Sequence, residues 1–217
     1  VTLAALNFST SKEDPILLVL STDHLIQNNS ALHRAIKIGK SLAEQEKLVT
    51  LGISPTKPET SYGYIEIKRS NSKKYHDIKS FIEKPSLDKA KSYLDSSNYY
   101  WNAGIFMFKA SVYLKELDKF EPEILEACKK SFNNSYRDLD FLRLNKEEFN
   151  KCPKKSIDYA VMENTLKGTV VPLDAQWKDL GSWSSLWDFK TKDGNGNVAK
   201  GDVILEAVND TYAYSSN

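Results

Sequence analysis

The 217 residues suffice for one large domain, or one domain and a stub, at the usual ~100–200 residues per domain. Lys plus Arg (30) nearly balance Asp plus Glu (29), and 41% of residues are hydrophobic and 27% charged. That composition argues against a nucleic-acid-coating protein and a disordered tail. The longest purely apolar run, residues 16–20, is far below the ~18–20 residues that cross a bilayer, so no membrane partner is expected.

Residues 1–8 lack the basic flank of a secretory signal. Residues 16–20 (Ile-Leu-Leu-Val-Leu) then read as a strand buried on both faces, as in a parallel sheet, with Ser21-Thr22-Asp23-His24 at its C-terminal end. Ser30 can cap a helix to about Lys47, in which Ala31, Ala35, Ile38 and Leu42 recur at helical spacing. Residues 48–53 form the next apolar run, completing a βαβ unit. Alternation over 62–68 and 78–82 around a polar turn at 70–74 predicts a hairpin, ended by Pro85. Helices follow at 87–94, 110–120, 122–132 and 146–149, and a buried aromatic-rich segment spans 101–108. After a cap at Ser156, residues 157–166 read as a helix, 169–173 as a strand, 182–189 as a Trp-rich helix and 202–208 as a last strand with no visible partner. The alternation gives an α/β fold class. The basic stretch 68–91 carries its own acids and reads as a solvated face.

Cys128 and Cys152 have neither metal-ligand spacing nor the density of a disulfide scaffold, which predicts reduced thiols and a cytoplasmic location. The sequons at Asn7, Asn28, Asn133 and Asn209 read as chance in an Asn- and Ser-rich chain.

Asp23 follows a strand at the edge where open α/β sheets bind ligands, which suits a metal ligand or a simple turn residue. Gly63, between Tyr62 and Tyr64, suits a wall for a ring-shaped substrate or a bulge. Glu83-Lys84 at a strand end offers a carboxylate for hydroxyls and a point charge for phosphate, provided the chain bends before Pro85. Asn102 is an amide in an apolar run and needs a hydrogen-bond partner, either backbone or ligand. Asp179 can share a divalent cation with Asp23 or cap the following helix. The run from Asp193 lacks the Gly and Glu of a calcium loop, and no hydrolase triad, P-loop or dinucleotide fingerprint is present.

Taken in order, Leu-Val-Leu-Ser-Thr-Asp-His (18–24), Leu-Val-Thr-Leu-Gly-Ile-Ser-Pro-Thr-Lys-Pro-Glu-Thr-Ser-Tyr-Gly-Tyr-Ile (48–65), Phe-Ile-Glu-Lys-Pro (81–85), Tyr-Trp-Asn-Ala-Gly-Ile-Phe (100–106), Ser-Ile-Asp-Tyr-Ala-Val-Met-Glu (156–163) and Trp-Lys-Asp-Leu-Gly-Ser-Trp (177–183) resemble the mannose-1-phosphate guanylyltransferases, or GDP-mannose pyrophosphorylases. The resemblance covers nearly the whole chain. It implies a Rossmann-like, GT-A-like nucleotidyltransferase domain with a mostly parallel sheet flanked by helices. Such a domain transfers GMP from GTP to α-D-mannose 1-phosphate, releasing pyrophosphate, with Mg²⁺ as cofactor. Asp23 and Asp179 would hold the metal and, with Lys84, carry catalysis. Gly63, Glu83, Lys84 and Asn102 would bind the sugar phosphate, with Tyr62, Asp158 and Glu163 in support. In-line attack on the α-phosphorus needs positioning and charge neutralisation and no covalent nucleophile.

The family's first strand, its loop G-x-G-T-R-L-W-P and the following P-K-Q have no counterpart, so the chain reads as N-terminally truncated. Residues 1–200 would be a partial nucleotidyltransferase domain, beginning at what resembles a later helix of the family, and 201–217 the start of a truncated C-terminal segment. Ser21-Thr22 replaces the usual Pro-Ala and Ser61 the usual Gly. A relative using another nucleotide or hexose, and a non-catalytic sugar-phosphate-binding subunit, are the alternatives; a downstream isomerase domain is open. An unpaired sheet edge would favour association, which leaves a homo-oligomer open.

Overall fold

The structure, a computed structural model, describes residues 1–9, 14–68 and 74–216. In chain order the elements are α1 (Thr2–Ser9), β1 (Ile16–Val19), β2 (His24–Ile26), α2 (Asn29–Glu44), β3 (Leu48–Ile53), β4 (Tyr64–Ile67), β5 (His76–Ile82), α3 (Leu87–Leu94), β6 (Tyr99–Lys109), α4 (Ala110–Phe120) and α5 (Pro122–Asn133). Then come β7 (Tyr136–Asp138), β8 (Phe141–Arg143), α6 (Lys146–Asn150), a π-helical turn (Asp158–Met162), β9 (Gly168–Pro172), β10 (Trp177–Asp179), α7 (Trp183–Phe189), β11 (Val198–Lys200) and β12 (Tyr212–Tyr214).

Six strands form the main sheet in the order β1-β6-β3-β9-β5-β4. Strand β6 is long enough to pair twice more: Tyr99–Trp101 run against β4, while Trp101 to Met107 run against β3. Strands β6, β3, β9, β5 and β4 therefore close a circuit of hydrogen bonds. Alternate residues of β6 serve opposite faces, as a period of two requires. Phe106 and Phe108 enter a core with α1, α4, α5 and the π turn, whereas Ile105 and Met107 pack with Ala31, Ala35 and Leu42 of α2. The sheet is thus covered on both sides by helices.

The α/β class stands, but the sheet is not mostly parallel. Among the described residues of the sheet only β3 and β9 pair in parallel. Strands β1 and β3 do run the same way, as the βαβ reading required, yet both are antiparallel to β6, which lies between them. An apolar run carries no sign of strand direction, so the inserted strand could not be read. Strand β1 is not buried on both faces either. Among the described strands it pairs only with β6, and Leu18 is 39% and Leu20 49% exposed.

Asn28, rather than Ser30, caps α2, its side chain accepting from Ala31 N at 3.0 Å, and the helix ends at Glu44 because Glu46 turns left-handed at φ 62°. Residues 157–166 do not make a regular helix. Glu163 N bonds to Asp158 O at 3.0 Å, one residue wider than an α-turn, and Leu166 is left exposed. The expected strand at 202–208 is absent, since Ala207 at φ 53° breaks the extended chain; β11 and β12 pair in parallel on either side of it. Most of the polar turn at 70–74 lies outside the described residues, as does part of the basic stretch 68–91. No described helix is long and apolar enough to cross a membrane.

Candidate functional site

Strands β2 and β10 form an antiparallel ribbon in which Asp179 lies opposite His24. The chain beyond β10 folds back on the loop ahead of β2. Leu180 N donates to Asp23 O at 2.9 Å, and Gly181 N to the Asp179 carboxylate at 2.8 Å. As a result, ligand atoms of Asp23, His24 and Asp179 all lie within 4.8 Å of one another. Burial lowers the pKa of His24 in spite of Asp179 and Asp23, which keeps the imidazole neutral with a lone pair available. Two carboxylates and an imidazole fit a divalent cation, and Mg²⁺ in particular is held by one or two carboxylates plus substrate phosphate.

The second half of the site is built on β5 and β6. Between the pairs Thr50–Phe106 and Gly52–Asn102, strand β3 has one residue and β6 has three, Ala103, Gly104 and Ile105. This bulge bends β6 beside the cleft, and Gly104 takes the left-handed φ of 65° that the bend demands. Its N–H donates to the Asn102 side-chain oxygen at 3.1 Å, which also accepts from the buried Thr50 hydroxyl at 2.9 Å. The Asn102 amide nitrogen then donates to Asp158 at 2.9 Å, so the amide of the apolar run finds its partners within the protein. The π turn is what carries Asp158 to that position.

At the end of β5 the required bend is present, with Lys84 at φ 47° just before Pro85. Both side chains of the doublet therefore line one cleft of about 190 Å³, together with Tyr62, Gly63, Asn102, Asp158, His24 and Asp179. Lys84 Nζ lies 3.7 Å from a Glu83 oxygen, and the other Glu83 oxygen is buried without a hydrogen-bond partner among the described residues. A Cβ on Gly63 would come within 2.5 Å of that same oxygen, so only glycine leaves the carboxylate its place. Burial raises the pKa of Glu83, reinforced by the Asp158 charge and opposed by Lys84. Asp158 is raised as well, again by burial, against its hydrogen bonds from Ser156 and Asn102. Glu163 is exposed and accepts from the Glu83 backbone N–H at 3.1 Å.

Tyr62 meets Trp101 and Trp177 edge-on at 5.4 and 5.3 Å, and Trp177 meets His24 at 5.1 Å, which fixes the wall between the two halves. The structure thus brings Asp23 and Asp179 together on one side of the cleft, and Gly63, Glu83, Lys84, Asn102 and Asp158 on the other. Sequence reasoning quoted His24, Thr50, Gly104 and Trp177 within its motifs but gave none of them a role of its own. Thr50 had a signal, as the one hydroxyl within an apolar strand; Trp177 had none.

An α/β sheet with a carboxylate ribbon facing a mixed acid-and-lysine pocket is the frame of a phosphate-handling transferase. The family model described as nucleotidyl transferase matches residues 1–196, and the chain belongs to that family. It is 49% identical over its full length to a protein from Vibrio cholerae serotype O1 named putative mannose-1-phosphate guanylyltransferase, covering 47% of it. Among solved structures it is similar to one described as mannose-6-phosphate isomerase from Helicobacter pylori, with 39% identity, a TM-score of 0.74, and coverage of 82% of this chain and 68% of that one. A second, described as mannose-1-phosphate geranyltransferase from Thermus thermophilus, shares 31% identity at a TM-score of 0.75 over 93% of this chain and 56% of its own. The chain spans about half the length of the curated relatives it matches.

Proposed function

We propose that the chain is the sugar- and metal-binding part of an enzyme that transfers GMP from GTP to α-D-mannose 1-phosphate, giving GDP-mannose and pyrophosphate. The observation that carries the reading is the single cleft shared by Asp179, Glu83, Lys84 and Asn102, in a chain half identical to a protein named for this activity. Glu83 and the Gly63 backbone would take the sugar hydroxyls, with Asn102 and Asp158 holding the rim in shape. Lys84, on its exposed stem, would meet the sugar phosphate. Asp23 and Asp179 would hold Mg²⁺, which when bound neutralises phosphate charge and lines up the α-phosphate. A phosphate oxygen of the sugar would then form its bond to the α-phosphorus as the bond to the β-phosphate oxygen breaks. The chain's residues act by positioning and by charge. We place the reaction in the cytoplasm, in keeping with two cysteines present as free thiols. We read residues 1–200 as the nucleotidyltransferase domain.

Isothermal titration with mannose 1-phosphate and with GTP, each with and without Mg²⁺, tests this. Sugar-phosphate binding that strengthens with Mg²⁺ and weakens in Glu83→Gln is expected. Failure of mannose 1-phosphate to bind would overturn the assignment. The likeness to the Helicobacter pylori structure favours a second reading, an isomerase acting on a mannose phosphate. Binding of mannose 6-phosphate in preference to mannose 1-phosphate would select it.

A further inference from the structure

Cys128 on α5 and Cys152, two residues beyond α6, stand with their sulfurs 4.0 Å apart at a cleft of about 530 Å³ separate from the site above. Neither thiol has a part in the proposed reaction. We propose that this pair is a reversible redox site, closed to an intramolecular disulfide by exchange with an acidic low-molecular-weight disulfide such as oxidised glutathione.

The geometry sets the order of events. Cys128 is only 3% exposed, whereas Cys152 is half-buried, and Lys154 and Lys155 line the same cleft. Their positive charge draws an anionic disulfide toward the cleft. The first attack falls to Cys152, the sulfur that an external disulfide can reach, while burial pushes the Cys128 thiol up to about 12. The Cys152 thiolate attacks one sulfur of oxidised glutathione and expels one glutathione thiolate, leaving a mixed disulfide on Cys152. The Cys128 sulfur then attacks the Cys152 sulfur, and the second glutathione departs with the proton from Cys128. Two cysteine thiols are oxidised and one glutathione disulfide is reduced.

Closure from 4.0 Å to the ~2.05 Å of an S–S bond asks for an approach of about 2 Å. Residues 151–156 form no helix or strand, so Cys152 sits on the more compliant side. That segment is held to the start of α5 by Lys155 and Glu121 at 2.6 Å. It leads directly into the π turn that carries Asp158.

The test treats the native protein with oxidised glutathione, quenches with acid, alkylates and reads intact mass. We expect both thiols to be lost to alkylation with no glutathione retained, on a species that runs as a single chain without reductant, and dithiothreitol to restore both. Peptide mapping of the wild type should find the 128–152 link, so the result does not depend on any variant folding. Cys128→Ser should trap one glutathione on Cys152, and Cys152→Ser should react at least about 10-fold more slowly than Cys128→Ser. A wild-type protein that keeps a glutathione adduct, retains both alkylatable thiols, or links only between chains would overturn the proposal. None of these readouts depends on the sugar-nucleotide reading.

Discussion

Glu83 is the side chain where binding and stability pull against each other. Its side chain is 11% exposed, one oxygen has no partner among the described residues, and burial lifts its pKa above the ordinary 4.5. A raised folded-state pKa means that the fold favours the protonated form. The contribution to stability is therefore full below about pH 4.5 and is lost as pH rises through the raised value, so the ionised group weighs against the fold at neutral pH. Glu83→Gln should raise Tm at pH 7 with a gain that shrinks toward pH 4, while weakening mannose 1-phosphate binding by roughly 10-fold, the scale of a lost charged hydrogen bond. Differential scanning calorimetry at the two pH values, paired with titration, checks both. Asp179 is the complementary case. Asp179→Asn keeps the bond from Gly181 N but removes charge from the cation site, so turnover of the full-length protein should fall about 100-fold or more, read as pyrophosphate release. Unchanged turnover would remove Asp179 from the metal assignment.

At the level of elements, the two irregularities that shape the cleft are a bulge in β6 and a π turn. Both place Asn102 and Asp158 2.9 Å apart, and neither is written in periodicity. The helices α3 and α4 were legible to the residue because their apolar spacing is strong and their ends are marked. The turn at 158–162 was not, because an inserted residue leaves the apolar pattern intact while widening the backbone. Glu83, Lys84, Asn102 and Asp179 stood out as polar groups at the ends or middles of apolar runs. The contribution of Thr50 from a neighbouring strand depends on a pairing that only the sheet order reveals. Gly104→Ala tests the bulge: a left-handed φ of 65° and a Cβ placed 3.4 Å from the His24 ring should cost about 1–2 kcal/mol, a fall of roughly 2–8 °C in Tm. Loss of sugar-phosphate affinity beyond that of the stability change would show that the bulge also sets the rim.

For the molecule as a whole, one long strand joins the two cores, and β1 is left with a single described neighbour. Leu18 and Leu20 on or beside that strand are large apolar side chains turned partly to solvent. Such an edge invites pairing with another copy. Leu20→Lys should shift size exclusion toward the monomer while moving stability by no more than about 0.5 kcal/mol, as for other surface substitutions. An unchanged elution profile would mean that any association uses another surface.

The aromatic wall has an optical consequence. Of the four tryptophans, Trp101 and Trp177 are buried against Tyr62 at the cleft, while Trp183 is 72% exposed on α7. Emission should therefore divide into a blue component from the cleft and a red component from the surface. A sugar phosphate settling against Tyr62 should quench or shift only the blue one, and iodide should quench the red one first. The protein would then report occupancy of its own pocket without any label.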